Sequence, residues 1–296
     1  MEMDKNHIPV LLKETIELLH IKKDGRYIDA TFGGGNHARA IAAAGGEVLA
    51  LDWDPEAISN VKFPMSNVKL VNANFRDIEK VARNNDFYPV DGILFDLGIS
   101  SIQLDESERG FSFQTDAPLD MRINKEELGV TAADLVNGLR EDQLREMFLE
   151  TSEFDVARAA AKAIVRARAE KKVETTVELA QIINSVYKER DRKINPATTI
   201  FLALRMAVNS ELENLHEGLT GAFEVLDKGG RLVVISFHSG EDRVVKDFIR
   251  IKSLPAQAGN EERMMNLTKE PITPSEEEVL RNPRARSAKL RAAKKI

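Results

Sequence analysis

The chain has 296 residues, of which 43% are hydrophobic and 30% are charged. This balance is typical of a folded globular protein and excludes a disordered chain or a fibre. Because the chain contains no cysteine, disulfides, thiolate metal sites and cysteine nucleophiles are excluded. Residues 1–7 carry charges of both signs, and there is no run of about 20 apolar residues that could span a bilayer. The sequence therefore predicts a cytoplasmic protein without a signal peptide or membrane segment.

The basic residues are clustered, although the net charge is −6. Residues 281–296 contain seven lysines and arginines and no acidic residue, and a second basic run covers residues 158–172. Such clusters can bind a polyanion, because a phosphate backbone responds to the local field more than to the net charge. They are equally compatible with two solvated surfaces.

The first third of the chain alternates short apolar runs with helical patterns. Strands are predicted at 26–29, 47–51, 68–71 and 90–95, and helices at 13–19, at 37–44 and from Pro55 onward. Asp54 is a suitable N-cap for the last of these helices, with proline at its first position. Strands separated by helices indicate parallel βαβ units, so the sequence predicts an α/β sheet covered on both faces.

From about residue 104 the pattern changes. Residues 106–124 are typical of a long ordered loop, and residues 131–192 are helical almost throughout. A long helix is predicted at 196–226, followed by strands at 230–237 and 266–272, while the basic tail fits either a helix or an edge strand. We therefore predict a discontinuous α/β domain, residues 1–105 and 196–296, and an inserted domain, residues 106–195. The insertion contains the loop and an all-helical region.

A glycine-rich turn and a following acid indicate a cofactor site. Gly33 and Gly35 lie between a predicted strand and a predicted helix. Glycines there let the backbone approach a ligand, and the helix N-terminus offers free N–H groups. Asp52 ends the next strand, about 20 residues further on, where an acid accepts hydrogen bonds from ribose hydroxyls. Together they predict an adenosine-containing cofactor, although a flexible turn and an exposed acid would look the same.

Asp29 distinguishes between cofactors. It stands four residues before Gly33, where a carboxylate would repel a pyrophosphate but suits an ammonium or sulfonium group. This favours S-adenosylmethionine over NAD, and hence a methyltransferase over a dehydrogenase. The alternative is that Asp29 only caps a turn. A non-catalytic RNA-binding factor built on the same fold is the other hypothesis that the residues leave open.

Asp96 follows the apolar strand at 90–95 and is delivered to the same edge of the sheet. Enzymes that methylate the exocyclic amines of bases have an acceptor here that orients the amine. Asp96 is predicted to take this part or to bind the cofactor, and a turn-forming role is the alternative.

Segments along nearly the whole chain carry a resemblance to one family: His7–Leu12, Tyr27–Gly33, Asp91–Ser101, Arg109–Phe113, Pro118–Arg122, Asn195–Thr198, Val208–Leu212, Ile235–Ser239 and Asn282–Ser287. In these segments the chain resembles bacterial S-adenosylmethionine-dependent methyltransferases that modify N4 of a cytosine in 16S ribosomal RNA. The resemblance implies a Rossmann-like class I methyltransferase sheet with an inserted all-helical domain. It also implies S-adenosylmethionine as cofactor, no metal, 16S RNA in the small ribosomal subunit as partner, and a possible homodimer.

Matching motifs carry the family's cofactor contacts to residues of this chain: Gly33, Gly35, Asn36, His37, Asp52, Phe75, Asp96 and Gln103. Asp52 would contact the ribose and Phe75 the adenine. Two positions depart from the family. Asn36 stands where glycine is usual, and because asparagine tolerates left-handed backbone angles the loop is expected to survive. Gly240 stands where leucine is usual, which changes the local packing of the loop after Phe237.

The resemblance also suggests substrate-side residues: Arg109, Phe113, Arg122, Arg158, Lys162, Arg166 and His238. Phe113 could stack on an unpaired base or anchor its loop. Arg158, Lys162 and Arg166 have i, i+4 spacing and lie along one helical stripe, which suits phosphate contacts. His238 could face the substrate or be structural. A general base is not clearly required, since the amine needs orientation of its lone pair and can lose its proton to water.

Overall fold

The computed structural model describes residues 9–61, 66–100, 103–104, 107–186, 195–254 and 262–296. The chain forms two compact units, which we call unit 1, residues 1–100 and 212–296, and unit 2, residues 101–211. The structure thus places the first boundary close to the predicted one at residue 105. The second boundary differs, because residues 196–211 belong to the helical unit and not to the sheet.

The elements of the described residues follow the chain in this order. The strands are β1 Arg26–Asp29, β2 Glu47–Asp52, β3 Val68–Asn72, β4 Val90–Asp96, β5 Leu226–Ser236, β6 Met264–Asn266 and β7 Lys289–Lys295. The helices are α1 Leu12–Leu19, α2 Asn36–Ala43, α3 Pro55–Ser59, α4 Ile78–Asn84, α5 Ala132–Gly138, α6 Glu141–Leu149, α7 Phe154–Glu170, α8 Thr176–Ser185, α9 Pro196–Asn209, α10 Glu211–Val225, α11 Ser239–Lys252 and α12 Glu276–Arg281. Short 3₁₀ segments lie at Phe75–Asp77, Ser107–Arg109 and Pro283–Ser287.

Unit 1 is built on a seven-stranded sheet in the described part of the chain, with strand order β3-β2-β1-β4-β5-β7-β6. Neighbouring strands from β3 to β5 are parallel, whereas β7 runs antiparallel to both β5 and β6. This order and these strand directions confirm the predicted Rossmann-like α/β sheet. The chain order reverses between β1 and β4, and ligands of open α/β sheets bind at the carboxyl ends of the strands beside such a reversal.

Apolar side chains cover both faces of this sheet. One core cluster joins Ile28 and Phe95 to Leu219 of α10 and Val245 of α11. The other joins Tyr27, Leu94 and Ile41 of α2 to Leu290 of β7, among others. Each fully buried side chain of this size contributes about 1.5–3 kcal/mol of transfer free energy. This burial holds the ends of β1, β2 and β4 in a fixed geometry.

The long helix predicted at 196–226 is two helices. Ser210, between α9 and α10, has φ 49° and ψ 44°, a left-handed conformation that ends α9. Helix α9 contacts α5, α6, α7 and α8, so it packs within unit 2. The predicted boundary at residue 196 is therefore wrong, because the apolar side of α9 is buried among the helices of unit 2.

The C-terminal strands also differ from the prediction. Strand β6 covers Met264–Asn266, and Ile272 forms an isolated bridge to Leu290, so the predicted continuous strand at 266–272 is wrong. The basic tail forms β7, an inner strand between β5 and β6. Its arginine, Arg291, is buried and donates to both carboxylate oxygens of Asp242, at 2.7 and 3.3 Å.

Unit 2 contains helices α5 to α9 and the loop that precedes them. Asn209 fixes this loop, because its side chain donates to the carbonyl of Met121 and accepts from the N–H of Ile123. The predicted loop at 106–124 has no helix or strand longer than one 3₁₀ turn in its described part. The predicted helical region ends at Ser185, and residues 187–192 lie outside the described residues. No helix in the described ranges has the length and apolarity to cross a membrane.

Candidate cofactor site at the carboxyl edge of the sheet

The turn after β1 is shaped by two glycines. Gly33 has φ 49° and Gly35 has φ 71°, both in the left-handed region. A Cβ atom on Gly35 would lie 2.5 Å from Cζ of Phe32, so no larger residue fits without displacing that ring. Asn36 is the first residue of α2 and is helical. The loop therefore does not depend on left-handed tolerance at Asn36, contrary to the sequence expectation, because the glycines on its N-terminal side adopt the special angles.

Asp52 ties the glycine turn to the end of β2. Its Oδ2 accepts a hydrogen bond from the N–H of Gly33 at 2.7 Å, and its Oδ1 accepts one from the N–H of Asp54 at 2.9 Å. Asp52 thus fixes the loop, and the ribose contact predicted for it stays a prediction.

Asp29, at the end of β1, is fully buried. Its Oδ1 accepts the N–H of Thr31 at 3.2 Å, which is the turn-capping contact weighed above. Its Oδ2 is buried without a hydrogen-bond partner among the residues that the structure describes. Burial raises the pKa of Asp29 to about 6, opposed by the nearby His37 and the Thr31 N–H and reinforced by Asp96 and Asp52. A buried carboxyl group with a free oxygen can take a cationic ligand.

The buried His37 and the partly exposed Asp96 form a pair beside Asp29. Nδ1 of His37 lies 3.3 Å from Oδ2 of Asp96, and Nε2 lies 3.2 Å from the carbonyl oxygen of Val10. Burial alone would lower the pKa of His37, but the hydrogen bond and charge of Asp96, the charge of Asp29 and the Val10 carbonyl raise it overall. The sequence named both residues as cofactor contacts but did not predict that they pair.

The main-chain N–H of Asp96 and its other carboxylate oxygen, Oδ1, also lie in this site. The N–H of Asp96 donates to Oγ1 of Thr31 at 2.6 Å, which locks the end of β4 to the glycine turn. Oδ1 of Asp96 is buried and accepts no hydrogen bond within the described ranges. Asp29, Asp52 and Asp96 therefore end three adjacent strands, and two of them present a free oxygen.

Phe75 lies after β3 and is partly buried. Its ring packs edge-on against Phe95, with centroids 5.6 Å apart and planes at 79°. Gly218 of α10 makes this possible, because a Cβ there would lie 2.9 Å from the Phe75 ring. The adenine contact predicted for Phe75 stays a prediction, and the structure shows that the ring is held in one orientation.

His238 caps helix α11. The N–H of Glu241 donates to Nδ1 of His238 at 3.4 Å, and the Glu241 carboxylate accepts the N–H groups of Phe237 and His238. This capping box uses Nδ1, whereas Nε2 is buried without a hydrogen-bond partner among the described residues, 3.2 Å from Oε1 of Glu241. The substrate-side role of His238 stays a prediction. The departure at Gly240 belongs here, because a Cβ on that residue would lie 3.1 Å from the His238 ring. Glycine leaves room for the imidazole to cap the helix.

The sequence model of the MraW methylase family matches residues 4–296. The chain belongs to this family. Ribosomal RNA small subunit methyltransferase H from Thermomicrobium roseum is 46% identical over 99% of this chain and 95% of its own length. The protein of the same name from Carboxydothermus hydrogenoformans is 46% identical over 99% of both chains. A solved rRNA methylase from Streptococcus thermophilus aligns over 98% of both chains with 11% identity and a TM-score of 0.45.

S-adenosylmethionine is the cofactor of this MraW methylase, as the sequence predicted. The residues present fit it, because Asp29 and Asp96 each present an unpartnered buried oxygen in the described structure and the ligand carries an ammonium and a sulfonium group. The glycine turn and Asp52 would hold its adenosine portion. When bound, S-adenosylmethionine supplies a methyl group on positively charged sulfur.

Four of the predicted site residues lie in the part of unit 2 that precedes helix α5. Gln103 is buried there, and its cofactor contact stays a prediction. Arg109 is buried, and its guanidinium donates to the carbonyl oxygens of Arg122 and Ile123 at 3.2 and 2.6 Å. Arg122 pairs with both oxygens of Asp120, at 2.7 and 2.9 Å. Phe113 packs edge-on against Phe201 with centroids 4.9 Å apart. Arg109, Arg122 and Phe113 thus have structural contacts that organise the loop.

The predicted basic stripe on helix α7 consists of side chains that face solvent, unlike the loop residues just described. Arg158, Lys162 and Arg166 are all exposed on α7, whose buried face carries Val156, Ala160 and Ile164 among others. Phe154, at the start of the same helix, is 56% exposed. An exposed aromatic ring beside exposed cations is a surface that suits a single-stranded nucleic acid, and the sequence did not single out Phe154.

The other residues that the sequence did not single out act through main-chain atoms or as neighbours of the acids. The carbonyl oxygen of Val10 fixes His37, and Oγ1 of Thr31 fixes Asp96. Every residue has a main-chain carbonyl group, so the role of Val10 could not be predicted from its residue type. Thr31 lies between two predicted site residues, Asp29 and Gly33, and its position was the available signal.

Proposed function

We propose that this protein transfers a methyl group from S-adenosylmethionine to the N4 amine of a cytosine in 16S ribosomal RNA. The observation that carries the proposal is the set of three strand-end acids, Asp29, Asp52 and Asp96, around the glycine turn. Relatives named ribosomal RNA small subunit methyltransferase H, 46% identical over nearly the whole chain, support the RNA substrate. The amine target rests on Asp96 and on the family resemblance.

Each of these residues has its own role in the proposed reaction. Asp52 and the glycine turn bind the adenosine portion, and Asp29 neutralises positive charge. Oδ1 of Asp96 accepts a hydrogen bond from the cytosine amine, so that the nitrogen lone pair points at the methyl carbon. The nitrogen–carbon bond forms as the sulfur–carbon bond breaks, and the extra amine proton leaves to water. His37 holds the Asp96 carboxylate in this orientation through its contact with Oδ2.

The target base must leave its stack for this geometry, because a stacked cytosine cannot present its amine to the methyl group. We assign RNA binding to unit 2, where Arg158, Lys162 and Arg166 form an exposed basic stripe. The substrate is the RNA of the small ribosomal subunit, and we place the reaction in the cytoplasm, where that subunit is assembled.

The test is methyl transfer from tritiated S-adenosylmethionine to small subunits from a strain lacking the gene, with nucleoside mass spectrometry to locate the product. N4-methylcytosine is the expected product. Asp96→Ala is expected to abolish turnover even at saturating S-adenosylmethionine, because the loss removes the amine acceptor, and to weaken donor binding, because Asp96 and its partner His37 also belong to the donor site. Near-normal turnover by this variant, or methylation of another base atom, would contradict the proposal. Label-free RNA despite tight RNA binding would favour a non-catalytic factor.

A further inference from the structure

The N-terminal segment reaches the cofactor site through a main-chain atom. Val10 and Leu11 are buried in the core cluster that includes Ala38 and Ile41 of α2. The carbonyl oxygen of Val10 accepts a hydrogen bond from Nε2 of His37 at 3.2 Å. A carbonyl can only accept, so Nε2 carries the hydrogen and Nδ1 is the nitrogen that faces Asp96. The position of Val10 therefore decides which nitrogen His37 turns toward the acid.

Leu11 is held in an unfavourable conformation. It has φ 50° and ψ 36°, the left-handed region that a branched side chain seldom adopts, and it is almost fully buried. It stands at the N-cap of α1 but makes no side-chain cap hydrogen bond. Such a conformation persists where the surrounding structure imposes it.

Glu278 of α12 forms a hydrogen bond with the main chain of Leu11. Its Oε1 accepts the N–H of Leu11 at 2.7 Å, although the two residues lie 267 positions apart in the chain. Glu278 is only partly exposed. It stands just before Asn282–Ser287, a motif that the cofactor site does not use, and its contact Leu11 belongs to a motif at the opposite end of the sequence.

We propose that Glu278 is a positioning residue of the methyl-donor site. It holds the Leu11 N–H, which places the Val10 carbonyl, which in turn fixes His37 against Asp96. The carboxylate acts as a hydrogen-bond acceptor at a defined distance, and its charge is not needed. This inference rests on the proposed donor site but not on the identity of the methylated base.

Three substitutions at Glu278 test whether the length of its side chain or its negative charge is needed. Glu278→Gln keeps the length and an acceptor oxygen but removes the charge. Glu278→Asp keeps the charge but is one methylene too short to reach the Leu11 N–H. Glu278→Ala removes both. Glu277→Ala is the matched control, because Glu277 is exposed on the same helix and pairs with Arg281.

The readouts are the imidazole nitrogen chemical shifts of His37 in the folded full chain and the calorimetric affinity for S-adenosylmethionine. In the Asp and Ala variants we expect altered His37 shifts and affinity about three- to tenfold lower, the size of one hydrogen bond. The Gln variant and the Glu277 control are expected to match the unmodified protein. Should the Ala variant not fold, the Gln and Asp pair still decides the question.

Unchanged His37 shifts and unchanged affinity in the Asp variant would overturn the proposal. So would a Gln variant that loses affinity while the Asp variant keeps it, since this would show that the charge matters and the reach does not. Neither readout uses RNA. Failure of methyl transfer to cytosine would therefore leave this result standing, and the two proposals fail independently.

Discussion

Asp29 is a fully buried carboxyl group with one unpartnered oxygen in the described structure, and its burial has an energetic cost. The pKa of Asp29 is raised from 3.8 to about 6 in the folded protein. The stability that this raised pKa provides is fully present below pH 3.8 and is lost as the pH rises through about 6. At pH 8 the ionised group opposes folding by about 3 kcal/mol before any ligand binds.

Asp29→Asn is expected to stabilise the ligand-free protein and to weaken donor binding. The amide fills the same space without charge, so at pH 8 the free energy of unfolding should rise by about 1–3 kcal/mol. Affinity for S-adenosylmethionine should fall about tenfold or more, because a charge that faces the ligand is lost. Urea denaturation and calorimetry measure the two effects.

Asp24→Asn is the control for this prediction, since Asp24 is exposed and its φ of 59° suits asparagine equally well. It should change neither quantity. If Asp29→Asn lowered both stability and affinity, the free oxygen of Asp29 would have a structural partner and the cation-binding role would be lost.

At the scale of single elements, the turn between β1 and α2 is the most constrained part of the site. Gly35→Ala places a methyl group against the Phe32 ring and a side chain at φ 71°. We expect a loss of about 1–3 kcal/mol in the free energy of unfolding and weaker donor affinity, because Gly33 and Asp52 share this turn. Thermal unfolding and calorimetry test both.

Gly138→Ala provides the comparison, because nothing lies within 4 Å of a Cβ there in the described structure. At the end of α5 this change should be neutral or stabilising by up to about 1 kcal/mol. Equal effects of the two substitutions would show that the turn tolerates a side chain.

The strands β1 to β4 and the strand-end acids could be predicted from the sequence because each strand is an apolar run bounded by a helix signal, and parallel strands end at one edge. The break at Ser210 could not, because serine carries no signal for a left-handed angle.

Strand β7 could not be assigned from the sequence as a helix or a strand because it is basic. Its charges are tolerated inside the sheet since Arg291 pairs with Asp242 and Lys295 donates to the Phe223 carbonyl. The pKa of Asp242, which burial alone would raise, is lowered by Arg291 and Lys289.

The limits of residue type are equally clear at Arg109 and Val10. The family resemblance marks Arg109 as a substrate-side residue, but residue type gives no sign that its buried guanidinium donates to two main-chain carbonyl groups. Val10 contributes an oxygen that every residue possesses. Both roles depend on the path of the backbone, which emerges only when distant parts of the chain pack.

At the scale of the whole molecule, the two units divide the functions that we propose. Replacing Arg158, Lys162 and Arg166 with alanine is expected to weaken binding to small-subunit RNA and to reduce its salt dependence by about two units of log–log slope. Donor affinity should stay unchanged, because the donor residues that carry the proposal belong to unit 1. Binding titrations at several salt concentrations measure the slope.

The matched control replaces Lys80, Lys246 and Arg250, which are exposed basic residues of unit 1. It removes the same number of charges, so any general effect of net charge should appear in both variants. An equal loss of RNA affinity in both would contradict a specific role for the stripe on α7.

The place of β7 between β5 and β6 has a consequence for biosynthesis. Unit 2 is one continuous stretch, residues 101–211, and all of it leaves the ribosome well before residues 289–295. The helices can therefore assemble early on the nascent chain, whereas the sheet keeps an open edge on β5 until residues 289–295 have been synthesised. A chain released before β7 has been synthesised would carry an exposed strand edge on β5 that is prone to aggregation, and we expect such a product to be recognised by proteases and chaperones.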